Sequence, residues 1–165
     1  MNVLATTDIY TVRDVCGVYR MAFAIAPRMA RRGHRFDLVL QCPDDEEFLR
    51  KSYPALGFYF YRVSSSRALM PFSMLLRSRK LFARLLKERR YDIVVVSQPM
   101  SSMGPVLLGG MKGVPLMYNF YSPWDAEFRV RTESSGGISS RARNLIEKAI
   151  IRRGDGVCVM SEYMK

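Results

Sequence analysis

One histidine and three cysteines are the only imidazole and thiol groups that 165 residues offer to a metal ion. Cys16, Cys42 and Cys158 stand far apart with no C-x-x-C pair, and His34 cannot complete a ligand set, so no zinc or other metal site is expected. An odd cysteine count at wide spacing fits a reducing compartment, with the thiols buried. No run of about 20 apolar residues occurs, so no helix is expected to cross a membrane. The opening MNVLATTDIY has no basic region followed by a long apolar stretch, so it does not read as a signal peptide. The chain has no G-x-G-x-x-G, which removes the dinucleotide fingerprint, and no internal repeat or low-complexity tail. Acid is scarce as well: 15 acidic residues face 26 basic ones, for a net charge of +11. That balance points to an anionic partner such as a membrane surface, a phosphorylated ligand or nucleic acid.

What is present suffices for a core. The sequence is 48% hydrophobic and 12% aromatic, and its length suits one domain over residues 1–165. Residues 2–7 read as a short buried strand, followed by a polar loop ending at Gly17. Val18, Ala22, Ile25, Ala26 and Met29 then recur at helical spacing, with Pro27 expected to bend the helix and Gly33 to stop it. FDLVL, residues 36–40, is the next strand, completing a βαβ unit. The alternation continues: GFYFYRV as strand, residues 74–90 as a long amphipathic helix, and DIVVVS as a fully buried strand. MGPVLLGGMKG follows as a short helix, VPLMYNF as strand, residues 139–153 as helix and GVCVMS as the last strand. This order predicts an α/β fold: a Rossmann-like, doubly wound, mostly parallel sheet with helices on both faces.

The charge is concentrated. Between Arg62 and Arg90 lie nine basic residues and one acid, Glu88, or +8 of the net +11. At about 100° per residue, Leu75, Phe82, Leu85 and Leu86 share one stripe of the long helix, and Arg77, Lys80, Arg84 and Lys87 line the other side. Leu69, Met70 and Phe72 precede them. Apolar groups beside a basic helix face suit an anionic bilayer surface, where each cation contributes roughly 1 kcal/mol. An ordinary solvated helix face is the alternative. Nucleic acid is not expected, because neither a recognition motif nor an aromatic stacking platform accompanies the stripe.

In open α/β sheets, ligands bind beyond the C-terminal ends of the strands. His34 lies at a helix-to-strand turn, at the opposite end, and reads as structural. Gly17 opens a helix at the ligand end, where it permits close backbone approach and the helix N-terminus favours anions, although a turn glycine reads the same way. The stretch YNFYSPWDAEF, residues 118–128, follows a central strand. Its Tyr121, Trp124, Asp125 and Glu127 are placed to face a cleft from a loop, and Asp125 with Glu127 allows an acid/base pair. Ser161 and Glu162 follow the last strand at the same end.

These pieces resemble, in order and spacing, the N-terminal domain of family-4 retaining glycosyltransferases of the two-domain B-type fold. The resemblance rests on the loop with Gly17, ARRGHRFDLV, the run YDIVVVSQPMSSMGPVLLGGMKGVPLMYNFYSPWDAEF and the closing GVCVMSEYMK, and covers nearly the whole chain. It implies an acceptor-binding domain over residues 1–165 and a separate donor-binding domain, absent from this chain, on the same or another polypeptide. It implies a nucleotide-sugar co-substrate for the complete enzyme, no cofactor bound by this domain, and a membrane-associated or polysaccharide-precursor acceptor at the cytoplasmic face. On that reading the chain alone is an incomplete, inactive hexosyltransferase, peripheral on the inner face of a membrane. Gly17, Trp124, Glu127, Ser161 and Glu162 become donor- or acceptor-binding candidates, and Arg77, Lys80, Arg84 and Lys87 the membrane patch. Many relatives carry a histidine, in a T-x-H pattern, where this sequence has Asn119, Phe120 and Tyr121. Tyr121 takes the histidine's place as the catalytic candidate, and a phenol of pKa about 10 is a poor base but a serviceable hydrogen-bond donor. A non-catalytic membrane-surface module, or a subunit of a split transferase, is the alternative.

Overall fold

A computed structural model describes residues 1–7, 17–41, 46–66, 68–111, 113–132 and 137–159 of the chain. Six strands, β1 (Asn2–Thr7), β2 (Arg35–Gln41), β3 (Gly57–Tyr61), β4 (Ile93–Val96), β5 (Leu116–Phe120) and β6 (Gly156–Val159), form one sheet in the order β3-β2-β1-β4-β5-β6. Every neighbouring pair is parallel. The order reverses between β1 and β4, which makes that edge the topological switch point of a doubly wound sheet.

Among the described residues, six helices connect the strands: α1 (Gly17–Arg31), α2 (Glu46–Ser52), α3 (Met70–Glu88), α4 (Pro99–Leu107), α5 (Trp124–Thr132) and α6 (Ile138–Ile151). The strand alternation splits the core in two. On one face Val3, Ala5, Phe36, Leu38, Leu40 and Phe58 pack with Phe23 and Ala26 of α1 and Leu49 of α2. On the other, Leu4, Val39, Val94, Val96, Leu116 and Tyr118 pack with Met74, Leu81, Phe82 and Leu85 of α3, Val106 of α4 and Ile150 of α6. Phe82 and Leu85 are fully buried, and burial of each stabilises the fold by roughly 1.5–3 kcal/mol.

Several local expectations hold for the reasons that suggested them. α1 ends at Arg31, Gly33 takes φ 78°, and the amides of Gly33 and His34 donate to the carbonyls of Ala30 and Met29. That is a Schellman stop, for which glycine is suited because it has no Cβ. His34 sits at the N-terminal end of the sheet, its Nδ1 3.3 Å from the terminal amine of Met1. α1 continues through Pro27 to Arg31 as one helical segment.

Other expectations need correction. Phe23 fills the core from α1, while Ile25 is exposed. α3 starts at Met70, four residues before the periodicity suggested, and Pro71 in its first turn is placed where proline's missing N–H costs nothing. Its buried stripe is Met74, Ser78, Leu81, Phe82 and Leu85, so Leu75 is only half-buried. Ser78 enters that stripe because Gly104 of α4 comes close: a Cβ on Gly104 would lie 2.2 Å from the Leu75 carbonyl and 2.4 Å from the Ser78 hydroxyl. α4 begins earlier than expected, at Pro99, and α2 and α5 were not anticipated. Cys158, expected to be buried, is exposed. It pairs with Asn119, next to the Val157–Tyr118 pair, and therefore faces away from α6 on an edge strand. Cys16 and Cys42 lie outside the described residues.

Candidate functional site

The C-terminal ends of β1, β4 and β5 define one rim. After β4 the chain passes through Ser97 and Gln98 into α4, and the amide of Ser97 donates to the carbonyl of Thr6 on β1. The Ser102 hydroxyl turns back to the Gln98 carbonyl at 2.8 Å, which fixes the first turn of α4. After β5, residues 121–123 cross to α5. Tyr121 is half-buried here, two strands from the switch point.

The segment after β5 is held from below by α6. Glu147 is buried at 5% exposure and accepts hydrogen bonds from the Tyr118 hydroxyl (2.9 Å) and the Trp124 amide (3.1 Å). Tyr118 precedes Tyr121 by three residues and Trp124 follows it by three, so one carboxylate pins both ends of the rim. The Trp124 amide is one of the unpaired N–H groups at the start of α5, and an acid there is also favoured by the helix dipole. Burial dominates even so, and raises the Glu147 carboxyl above its ordinary value.

Asp125, the next residue, is gripped by α6 as well. It is 4% exposed and accepts from Ser140 Oγ (2.5 Å) and Arg143 Nε (2.9 Å), with Arg143 Nη2 at 2.8 Å and Arg129 Nε at 3.2 Å. The Ser140 hydroxyl first, and the Arg143 guanidinium after it, hold the Asp125 carboxyl below the usual carboxylate range. Arg143 also lies 3.9 Å over the centre of the Phe128 ring. Asp125 is therefore a structural anchor, and the acid/base pair allowed by its spacing with Glu127 does not form. The two sit in the first turn of a helix instead of a loop, and Glu127 accepts from the Ser122 hydroxyl. The half-buried Trp124 opens the same helix.

Of the remaining candidates, Gly17, expected to end the loop just before a helix, is the first residue of α1, and Ser161 and Glu162 lie outside the described residues. Arg77, Lys80, Arg84 and Lys87 are all exposed on α3, remote from the rim residues in sequence and in element. Arg77 donates to the Arg62 carbonyl at 3.0 Å and Arg84 lies 3.9 Å from Glu88, so the patch keeps most of its charge toward solvent. Leu69, Phe72 and Leu76 are 59%, 66% and 59% exposed at the start of the same helix. The helix is thus segregated along its length: apolar at its N-terminal end, basic beyond it. No helix among the described residues is long and apolar enough to cross a bilayer. No group of three metal-ligating side chains occurs among them either.

Sequence reasoning missed Glu147, Arg143 and Tyr118. One signal was available. In ISSRARNLIEKAII, Arg143, Glu147 and Ile150 fall on one helical stripe, so two charges occupy the face that must be buried.

Residues 17–165 match the family described as Glycosyl transferase 4-like domain, and the chain belongs to that family. Among solved structures it is similar to MurG of Acinetobacter baumannii (TM-score 0.59, 15% identity, covering 97% of this chain and 41% of that one). It is similar also to apo UGT2 of Phytolacca americana (TM-score 0.58, 11% identity, 96% and 45%). A Listeria monocytogenes protein titled as a putative UDP-N-acetylglucosamine 2-epimerase shares the fold as well (TM-score 0.57, 8% identity, 94% and 38%). At these identities the likeness shows the fold alone, and the chain spans less than half the length of each of these structures. No curated protein sequence matches the chain.

Proposed function

We propose that this chain is the acceptor-binding half of a retaining glycosyltransferase, which moves a sugar from a nucleotide-sugar to a membrane-associated or polysaccharide-precursor acceptor. The observation that carries the reading is the rim at residues 121–123, at the ligand end of a doubly wound sheet in a chain of the Glycosyl transferase 4-like family. The rim is fixed to α6 by buried carboxylates and leaves Tyr121 at its centre. In this reading Tyr121 orients the reacting groups by hydrogen bonding. Gly17 lets backbone approach the donor phosphates or the acceptor, and Trp124, Glu127, Ser161 and Glu162 are contacts of the same wall. A donor-binding domain supplies the opposite wall. As the bond from the acceptor oxygen to the anomeric carbon forms and the bond to the leaving phosphate breaks, that phosphate takes the hydroxyl proton, so no strong base is required of Tyr121.

The basic and apolar surface of α3 brings this wall to an anionic membrane, placing the protein peripherally on the cytoplasmic face. It also supports a second reading, a membrane-surface module without catalysis, because exposed Leu69, Phe72 and Leu76 beside four exposed cations serve docking whether or not a sugar is moved.

Sugar transfer should appear when a donor domain is supplied and be absent with the 165-residue chain alone. Turnover by the chain by itself would sink the half-enzyme reading. In the two-domain enzyme, Tyr121→Phe should lower transfer by roughly 10-fold or more through the lost hydrogen bond, and Tyr121→His should recover part of it. Equal rates for wild type and Tyr121→Phe would remove Tyr121 from the chemistry.

A further inference from the structure

We infer that the solvent face of α6 is a second contact with an anionic bilayer, working beside α3. Ile138, Arg141, Leu145, Lys148 and Arg152 follow one another at intervals of three and four residues, which places them on one stripe of the helix and just past its end. Arg143, Glu147 and Ile150 are buried on the opposite side. Ile138 is 89% exposed and Leu145 68%, large aliphatic groups that a solvated helix face has no reason to present together. Arg141, Lys148 and Arg152 are exposed between and beyond them, and no ion pair among the described residues neutralises any of the three. The one acid of the helix, Glu147, is buried beneath it, so this face carries a single sign of charge.

The position of α6 matters as much as its composition. α3, α4 and α6 cover the same side of the sheet, with α4 packed between the other two and largely buried. Both outer helices of that layer present exposed cations with exposed aliphatics, and both turn that surface away from the sheet. Each helix starts near the ligand end with its bulkiest exposed groups: Leu69 and Phe72 for α3, Ile138 for α6. α5, which packs on α6, leaves Val130 82% exposed as well. One flat surface can meet both helices, and the rim at residues 121–123 would then face along it.

Other occupants fit less well. α6 has no aromatic side chain on which a base could stack, which disfavours single-stranded nucleic acid. A protein interface is ordinarily depleted in charged residues at its core, whereas this stripe alternates three cations with two aliphatics. A bilayer of anionic lipid satisfies both, taking the aliphatics below the headgroups and the cations among them.

This inference deepens the membrane reading of α3, and the experiment separates the two. The 165-residue chain is sedimented with vesicles of 30% phosphatidylglycerol in phosphatidylcholine and, as a control, with phosphatidylcholine alone. The variants are Arg141→Gln/Lys148→Gln/Arg152→Gln, Ile138→Ser/Leu145→Ser, and Arg77→Glu/Lys80→Glu/Arg84→Glu/Lys87→Glu. Neutralising the three α6 cations should weaken partitioning by about 100-fold. The serine pair should weaken it by roughly 10-fold or more. These are surface changes, and unchanged thermal unfolding will confirm that the variants fold. If the α6 variants bind as wild type while the α3 variant has lost binding, α6 is not a contact and the inference falls alone. If α6 variants lose binding and the α3 variant keeps it, the α3 reading falls and α6 stands. If wild type ignores anionic vesicles, or a short RNA displaces it from them with the serine pair still binding fully, both fall.

Discussion

Asp37 and Glu147 are both buried acids beneath the same sheet topology, yet they stand at opposite ends of it and are furnished differently. Asp37, third residue of β2, is 1% exposed. It accepts from the Tyr91 hydroxyl at 2.6 Å and from the guanidinium groups of Arg35 (3.1 Å) and Arg89 (3.3 Å). Gly57 on β3 lies against it: a Cβ there would be 2.0 Å from Asp37 Oδ1. Among the described residues, Glu147 has two donors, a phenol and an amide, and no cation within ion-pair distance. A carboxylate enclosed by cations and backbone at the N-terminal end of a sheet is a structural knot. One that is buried without a cation, at the ligand end, is held at an energetic cost. The comparison suggests that Glu147 is kept for where it places the rim more than for what it adds to stability.

The largest effect should come from breaking the Asp37 knot. Asp37→Ala leaves the buried Tyr91 hydroxyl without its acceptor and removes the partner of two arginines. These arginines are about 40% exposed and can turn to solvent, so the loss should be about 3 kcal/mol, short of a fully buried pair. Gly57→Ala should cost a similar ~2–3 kcal/mol, since the methyl group and the carboxylate cannot occupy the same space. In the Asp37→Ala background that clash disappears, so the two losses should fall short of additivity by at least ~1 kcal/mol in a denaturant-unfolding cycle. Strict additivity would show that Asp37 yields readily and that the knot is loose.

Burial also separates the two acids at the rim by sign. Glu147 is raised, so its contribution to stability is fully present below the ordinary glutamate value and declines as pH rises through its higher folded value. Asp125 is lowered, so its contribution is present above the ordinary aspartate value and lost as pH falls through its lower folded value. Removing Glu147's charge by Glu147→Gln should therefore flatten the descent of stability just above the glutamate range. Asp125→Asn should flatten the loss of stability at acid pH. Melting curves at a series of pH values read both, and a Glu147→Gln profile parallel to wild type would show that its carboxyl does not titrate apart from an ordinary one.

The two acids also show what the sequence could and could not disclose. Strands β1, β2 and β4 were legible because parallel strands buried on both faces are apolar on successive residues, and Gly33 was legible because a Schellman stop needs a left-handed residue. That residues 121–123 lie at the C-terminal end of the sheet was legible from their place after a strand. The conformation that follows was not, because WDAEFRVRT has only a weak apolar stripe and is held as a helix by partners 15 to 23 residues away, Ser140, Arg143 and Glu147. Long-range capping leaves no local periodicity. Leu76 on α3 and Leu145 on α6 expose a related gap: an aliphatic residue on the outer face of a helix reads as core until the core is seen to be full.

The smallest effect on stability should be the most informative about function. Glu147→Gln preserves shape but puts an amide nitrogen, which cannot accept, in place of one oxygen: the Tyr118 hydroxyl keeps Oε1, while the Trp124 amide, shared between Oε1 (3.3 Å) and Oε2 (3.1 Å), loses the shorter contact. The Trp124 amide loses its better acceptor, while the cost of a buried charge is relieved, so global stability should change by less than about 1 kcal/mol in either direction. Locally the first turn of α5 should open more often. Amide exchange at Trp124 should rise by roughly 10-fold, the equivalent of losing about 1.4 kcal/mol of local closure. Trp124 is the only tryptophan in the chain, so its emission should report the same loosening without interference. The matching change at the other end of the sheet, Asp37→Asn, should do the reverse, lowering global stability while leaving Trp124 untouched. If Glu147→Gln instead lowers global stability as much as Asp37→Asn and leaves the Trp124 amide protected, the two acids are the same kind of anchor and Glu147 has no special part in setting the rim.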